Sequence, residues 1–416
     1  MAAYGLIGER LSHSFSPEVH RQFADYDYRL IELAPEAVAP FLAARAFAGL
    51  NVTIPYKRTV MPLCDALSPE AERIGSVNTI VNRDGRLTGY NTDYYGFCRM
   101  AEAAGVSFAG EKTLVLGSGG ANRTAVAVAR DRGASEVWTV SRHGSGKDGV
   151  IDYDTAYRLH GDAGVIVNTT PVGMYPENGA APIELGRFPA CHGVLDMVFN
   201  PLRTALLLEA ERRGIPCAGG LTMLVAQGKR AAELFTGAAI DPAREAAAVR
   251  AITQARQNLV LIGMPGSGKS TVGRLAAARL GRPFLDLDDE VQRDEGRSPE
   301  QIIRTDGEAA FRDAEARAAA RVGKAFGQVI AAGGGTVLRQ DAMDALRQNA
   351  RVAFLARPLD LLATHGRPLS GDGTGLRRLF AAREPFYRRY ADTAVDNTGS
   401  AEQTAERLCN WFLEEA

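Results

Sequence analysis

The sequence is short of cysteine, of net charge and of long apolar runs, and each shortage excludes a class of protein. Its five cysteines (Cys64, Cys98, Cys191, Cys217, Cys409) are odd in number and widely spaced, with no C-x-x-C pair. That spacing argues against a disulfide framework or a thiolate zinc site, and no His/Cys/Glu constellation offers another metal centre. Basic and acidic residues number 48 and 49, for a formal net charge of -1. No global field draws the chain to nucleic acid or anionic lipid, so any anion site is local. No apolar stretch approaches the ~18–20 residues of a membrane span, and the strand-like Tyr4-Gly-Leu-Ile-Gly8 leaves no space for a signal peptide. A cytoplasmic protein is expected. Hydrophobic residues at 46% and charged residues at 23% leave little room for long disordered tails. There is no internal repeat.

What is present points to two α/β halves. A chain of 416 residues exceeds one ordinary domain and implies at least two buried cores. Its 44 glycines stand above the usual ~7% and cluster at strand ends, where backbone N–H groups make anion sites. Short apolar runs alternate with Ala-rich helical patterns, as in parallel α/β sheets. Strands are expected at Lys112 to Leu116, Glu136 to Val140, Val165 to Asn168, Gly193 to Asp196, Asn258 to Ile262, Gln328 to Ala332 and Arg351 to Leu355. Asp241 to Ala255 reads as a helix, and a fresh strand follows Arg256 and Gln257. The boundary is placed there, giving 1–255 and 256–416 with no Gly/Ser linker between them.

In the second half, Gly263-Met-Pro-Gly-Ser-Gly-Lys-Ser270 fits G-x-x-x-x-G-K-S between an apolar strand and a helical pattern. Gly266, Ser267, Gly268 and Thr271 would turn backbone N–H groups toward phosphate oxygens. Lys269 would bridge the β and γ phosphates of ATP, and Ser270 can ligate Mg²⁺. Phe284-Leu-Asp-Leu-Asp288 is expected to end a second strand with two carboxylates on one face. Asp306-Gly-Glu-x-x-Phe-Arg312 with Glu315, the triplet Gly333-Gly334-Gly335, Arg367-Pro-Leu369 and Arg383-x-Pro-x-Tyr387 complete the set. Taken singly, paired aspartates can merely cap a helix and most arginines are solvated; in this order the half resembles shikimate kinase from the phosphate loop to the last helix. The resemblance implies a P-loop fold of the nucleoside-monophosphate-kinase type with a parallel sheet. It further implies that Asp286 helps hold Mg²⁺ and that Asp288 binds and orients or deprotonates the attacking hydroxyl. Arg312 and Arg383 would clamp the substrate carboxylate, a pairing that suits planar guanidinium groups. The Gly333 to Gly335 run would let the backbone approach the substrate, and Arg367 would come from a mobile lid and stabilise the transferring phosphoryl. The lid segment Leu362-Ala-Thr-His-Gly366 is shorter than the family's usual one and lacks an arginine that often stacks on adenine.

In the first half, Gly117-Ser-Gly-Gly-Ala-Asn-Arg123 follows a strand and opens a helix in the position of a dinucleotide fingerprint, with Asn122 where a third glycine is expected. The next strand ends in Ser141 and Arg142 rather than an acidic residue, which suits the 2′-phosphate of NADP(H). Around these lie Ser12-His-Ser-Phe-Ser-Pro17, Asn51-Val-Thr-Ile-Pro-Tyr-Lys57, Ser76-Val-Asn-Thr79, Gly89-Tyr-Asn-Thr-Asp93, Asn168-Thr-Thr-Pro-Val-Gly-Met174, Asp196-Met-Val-Phe-Asn-Pro201 and Gly220-Leu-Thr-Met-Leu-Val-Ala-Gln227. This order resembles shikimate dehydrogenase over roughly residues 1 to 255, with quinate/shikimate dehydrogenases sharing much of it. The resemblance implies a substrate-binding α/β subdomain (about 1–95 and 225–255) and a Rossmann NADP-binding subdomain (about 96–224). Ser14 and Ser16 would bind the ring carboxylate, Thr53, Asn78 and Gln227 the ring hydroxyls, and Lys57 with Asp93 the reacting oxygen. Gly117, Ser118, Gly119, Gly120, Ala121, Ser141, Arg142, Met197 and Gly220 would bind the cofactor. Hydride arriving at a ketone leaves an alkoxide, so a positioned ammonium such as Lys57 can stabilise the charge and supply the proton. Two positions depart from the pattern: Phe199 stands where a substrate-contacting tyrosine is common, and Ser141-Arg142-His143 replaces the usual Asn-Arg-Thr, with Lys147 as the second cation. His13, His20, His143 and His192 read as ordinary polar or capping residues.

Together the resemblances imply consecutive reactions: 3-dehydroshikimate reduced to shikimate, then shikimate phosphorylated on its new hydroxyl. The partners expected are these small acids, without nucleic acid or membrane, and the oligomeric state is open. Two other readings stay open. One is a non-catalytic regulator that senses shikimate or quinate, which would have no need of Lys57, Asp93, Lys269, Ser270, Asp286, Asp288 and Arg367 together. The other is a quinate/shikimate dehydrogenase joined to a kinase for another small alcohol, against which Arg312, the glycine triplet and Arg383 argue.

Overall fold

The computed structural model describes residues 3–11, 14–144, 146, 148–362 and 373–414. His13, Lys147, the segment 363–366 and Arg367 lie outside the described residues. The chain forms two compact units, Met1–Arg250 and Ala251–Ala416. The division falls within the helix Pro242–Arg256, five residues before the expected boundary between 255 and 256.

The first unit holds two six-stranded sheets. In one, β1 (Ala3–Gly8), β2 (Tyr28–Glu32), β3 (Phe47–Val52), β4 (Ala66–Leu67), β5 (Thr79–Arg83) and β6 (Arg86–Tyr90) lie in the order β2-β1-β3-β5-β6-β4. This sheet is mixed, because β5 runs antiparallel to both β3 and β6. The cause is local: Asp84 and Gly85 both have positive φ (51° and 83°), the backbone of a two-residue turn that Asp-Gly favours.

The other sheet takes β7 (Lys112–Leu116), β8 (Glu136–Val140), β9 (Val150–Ile151), β10 (Val165–Asn168), β11 (Gly193–Asp196) and β12 (Cys217–Gly219) in the order β12-β11-β10-β7-β8-β9. Every pairing in it is parallel. This is the doubly wound order, whose switch point between β7 and β10 is where such sheets bind ligands. Helices Thr92–Ala103 and Leu221–Thr236 pack closely, since a Cβ on Gly96 would lie 2.6 Å from the Met223 carbonyl oxygen.

The second unit has one parallel sheet of β13 (Asn258–Ile262), β14 (Phe284–Asp286), β15 (Val329–Ala331), β16 (Ala350–Ala356) and β17 (Thr393–Asp396), ordered β14-β15-β13-β16-β17. All five residues of β13 are buried, as an unbroken apolar run covered on both faces must be. One expectation fails here. The second strand stops at Asp286, and Asp288 sits in the first turn of the helix Leu287–Glu295, whose N-terminus Asp286 caps. A carboxylate that can accept a backbone N–H at a helix start favours that role over extending the strand.

Gly49 on β3 explains how the helix Leu221–Thr236 reaches the first sheet: a Cβ there would run into the Phe235 ring, which is fully buried. Gly49→Ala is expected to destabilise the first unit by about 2 kcal/mol and lower its melting temperature by about 4–8 °C, measured by calorimetry.

Candidate active sites

In the first unit a cavity of about 620 Å³ opens between the two sheets and is lined by Ser14, Ser16, Thr53, Lys57, Asn78, Asp93 and Gln227, with Ala121, Met197 and Gly220 on the nucleotide side. Residues from seven separate segments thus meet at one place. Lys57 comes from the turn after β3 and Asp93 from the first turn of the helix Thr92–Ala103, where the helix dipole favours an anion. Lys57 Nζ donates to Asp93 Oδ2 at 2.5 Å, and both side chains remain partly open to the cavity. Asn78 is locked in place: its Oδ1 accepts from the Thr92 N–H at 2.7 Å and its Nδ2 donates to Thr92 Oγ1 at 3.0 Å. Thr92 Oγ1 lies 3.3 Å from Gln227 Oε1, which ties the second helix into the same wall.

The dinucleotide side follows from the strand ends. Gly117 has φ +97°, and a Cβ there would lie 2.8 Å from Thr170 Cγ2, so neither backbone nor space admits a side chain. Gly119 and Gly120, at the start of the helix Gly120–Asp131, face nothing within 4 Å. Packing does not require glycine at those two positions, and the open N–H groups there form an anion site at a helix start. Asn122, in place of the third glycine, is buried and donates to Thr139 Oγ1 of β8 at 3.2 Å, replacing close helix–strand packing with a hydrogen bond. Gly117, Ser118, Gly119, Gly120, Ser141 and Arg142 lie along the carboxyl ends of β7 and β8 and do not line the cavity itself.

The role of Asp196 carries no signal in the sequence motif around it. Asp196 is fully buried and accepts three bonds: from Asn168 Nδ2 at 2.9 Å, the Val198 N–H at 3.0 Å and Thr204 Oγ1 at 2.6 Å. Burial pushes its carboxyl up to about 6 against the opposing pull of those donors. It fixes the loop that carries Met197 and Phe199 into the cavity, where Phe199 packs edge-on against Phe15 at 5.0 Å.

The second unit has a cavity of about 640 Å³ lined by Gly266, Gly268, Lys269, Ser270, Thr271, Asp286, Asp288, Arg312, Gly333, Gly334, Gly335 and Arg383. Lys269 begins the helix after β13 and donates to the Gly263 and Met264 carbonyls at 3.0 Å. Ser270 Oγ donates to Asp286 Oδ2 at 2.5 Å, placing a hydroxyl and a carboxylate oxygen together at the phosphate loop. Ser267 turns away: its carbonyl accepts from Asn397 Nδ2 at 2.6 Å, and Asn397 in turn accepts from Thr404 Oγ1 at 2.8 Å. That strut had no signal in the sequence.

Arg312 donates to Glu315 at 2.7 Å and to Glu308 at 3.1 Å, and fully buried Glu315 also accepts from Thr336 Oγ1 at 2.5 Å. Arg383 is 3% exposed, and Nε of both arginines has no partner among the described residues. The glycine triplet has a packing reason beyond ligand access. Cβ atoms at Gly333 and Gly335 would collide with Glu315 and Arg312, and one at Gly334 would lie 2.6 Å from Pro265. Asp288 opens onto the cavity, so water reaches it, but protein walls it on most sides. That limited hydration, followed by the charges of Asp286 and Glu315, pushes its carboxyl up to about 6 in spite of Lys269 and Arg312. Carbon-detected NMR is expected to show Asp288 titrating near pH 6, and Glu315→Gln to move that midpoint downward by removing a like charge.

Comparison with known proteins agrees with this geometry. Residues 6–80 match the family described as shikimate dehydrogenase substrate binding domain, and residues 265–413 match shikimate kinase. Shikimate dehydrogenase (NADP(+)) of Clostridium perfringens (strain SM101) is 38% identical over 263 residues, which span 59% of this chain and 96% of that protein. Among solved structures, shikimate 5-dehydrogenase of Thermus thermophilus in complex with NADP(H) and shikimate is 34% identical with a TM-score of 0.54, over 60% of this chain and 99% of that one. A chorismate mutase/shikimate 5-dehydrogenase fusion protein of Clostridium acetobutylicum is 33% identical with a TM-score of 0.58, over 61% of this chain and 97% of that one. With one cavity at the mouth of a doubly wound sheet and the other at a phosphate loop, the chain belongs to the shikimate dehydrogenase family through its first unit and continues into a shikimate kinase domain.

Proposed function

We propose that the first unit reduces 3-dehydroshikimate to shikimate with NADPH and that the second transfers the γ-phosphoryl of ATP to shikimate, giving shikimate 3-phosphate. The observation that carries the first step is the Lys57 to Asp93 ion pair set in a cavity that also presents serine, threonine, asparagine and glutamine side chains. NADPH, when bound, supplies hydride to the carbonyl carbon. Lys57 Nζ, oriented by Asp93, donates a hydrogen bond to the carbonyl oxygen and then its proton as negative charge builds there. Ser14 and Ser16 hold the ring carboxylate, and Thr53, Asn78 and Gln227 hold ring hydroxyls. Gly117, Ser118, Gly119, Gly120, Ala121, Met197 and Gly220 would receive the dinucleotide, and Ser141 and Arg142 would suit a 2′-phosphate. A hydroxyl and a cation at that strand end favour NADP(H) over NAD(H).

In the second unit Arg312 and Arg383 take the shikimate carboxylate. Asp288 accepts the hydroxyl proton as the oxygen attacks the γ-phosphorus, and Lys269 with the loop N–H groups of Gly266 to Thr271 balances phosphate charge. Ser270 and Asp286 would hold Mg²⁺, since a hydroxyl and one carboxylate are the hard oxygen ligands that ion takes alongside phosphates. Arg367 is assigned to the transferring phosphoryl by the family resemblance. A cytoplasmic setting fits five free thiols.

The purified protein given 3-dehydroshikimate, NADPH, ATP and Mg²⁺ should accumulate shikimate 3-phosphate; a sensor would form none. Lys57→Ala is expected to lower NADPH oxidation by about 10²–10⁴-fold while leaving phosphorylation of added shikimate intact, and Lys269→Ala to do the reverse. Because the ionised form of Asp288 is the base, kcat/KM for shikimate phosphorylation should hold above pH 7 and fall as the pH drops through about 6. A profile that stays flat down to pH 5 would remove Asp288 from that role.

A further inference from the structure

Behind Asn51, which lines the dehydrogenase cavity, lies a residue that no motif singled out. Tyr28 begins β2 at the edge of the first sheet. Its hydroxyl donates to Asn51 Oδ1 at 2.7 Å. On the other side, Asn51 Nδ2 donates to Thr79 Oγ1 at 3.0 Å and to the Asn78 carbonyl at 3.4 Å, and Thr79 Oγ1 donates to Asn78 Oδ1 at 3.1 Å. A polar chain therefore runs from Tyr28 through Asn51 and Thr79 to Asn78, and the Tyr28 phenol is the link that anchors it.

The surroundings keep that link in one state. The neutral imidazole of His20, whose burial lowers it to about 3, stacks on the Tyr28 ring at 4.0 Å and 15°. His20 Nδ1 is held 2.6 Å from Tyr26 Oη. Enclosure raises the Tyr28 phenol well above its ordinary range, so it remains a donor at any working pH.

Resting on the reading of this cavity as the 3-dehydroshikimate site, we propose that Tyr28 is a positioning residue. Its hydroxyl fixes the orientation of Asn51 and, through Thr79, that of Asn78, at the hydroxyl end of the substrate. It touches no substrate and no cofactor. Its effect is on the affinity for a ring acid whose hydroxyls must be gripped, through preorganised groups whose orientation is otherwise lost to rotation.

Tyr28→Phe keeps the ring and its stack on His20 and removes the hydroxyl alone. In the oxidation assay with shikimate and NADP⁺, the variant is expected to raise KM for shikimate about tenfold, corresponding to one hydrogen-bond link. The kcat, the KM for NADP⁺, the melting temperature and the kinase activity should stay within twofold or about 2 °C of wild type. A KM for shikimate within twofold of wild type overturns the proposal, whether or not the melting temperature falls, because a purely structural tyrosine lowers stability without moving that constant. Equal losses in kcat and in both KM values also overturn it. Should the wild type fail to oxidise shikimate at all, the reading of the cavity fails instead, and the two failures are told apart by that control.

Discussion

Parallel sheets covered on both faces leave a chain little room for polar chemistry except where the strands end. β13 after Asn258 and β7 after Lys112 and Thr113 are apolar to their ends, and the glycine-led turns start at the next residue. Gly117 and Gly263 each follow such a strand within one step. Both adopt positive φ, which turns the chain so that a helix can begin with its N–H groups facing the gap. The same constraint places Asn168, Asp196 and Asp286 at strand termini, where Asp286 lines the cavity of the second unit and the buried Asn168 and Asp196 bond to each other. The mixed first sheet is exempt, and there the substrate groups come from turns and helix starts.

The two cavities handle carboxylates in opposite ways. Asp93 has a cation at hydrogen-bond distance and a helix start behind it. Asp288 has two other acids near it and feels Lys269 and Arg312 less than it feels its confinement. In the proposed reaction the first arrangement would hold an ammonium in place beside a developing alkoxide. The second holds a base whose proton affinity is raised toward neutrality, which suits removal of a proton from an alcohol.

Much of the fold was legible in the sequence because continuous apolar runs bounded by glycine leave few alternatives. The limits of β7, β8, β10, β11 and β13 were readable to the residue. The P-loop and the fingerprint announced their neighbours in the same way. What escaped was decided by competition or by distance. Asp286 could extend a strand or cap a helix, and the cap won. The Asp84-Gly85 turn was visible as a dipeptide, yet its antiparallel consequence is lost among alternating α/β patterns. Asn122 breaks a glycine pattern for a bond to Thr139 that only the adjacent strand can supply. Tyr28, Asp196 and Asn397 act through partners far along the chain or through buried loops, and a single sequence carries no sign of such pairs.

The glycine triplet after β15 carries a wider lesson. Each of its members is hemmed in by a different group of the protein itself: the Glu315 carboxylate, the Pro265 ring and the Arg312 guanidinium. The Pro265 contact at Gly334 would stand in an inert copy of the domain as much as in a working one, whereas at Gly333 and Gly335 the neighbours are the ends of longer side chains. Invariance at a spot like Gly334 among distant cousins is therefore a poor gauge of contact with anything the domain binds.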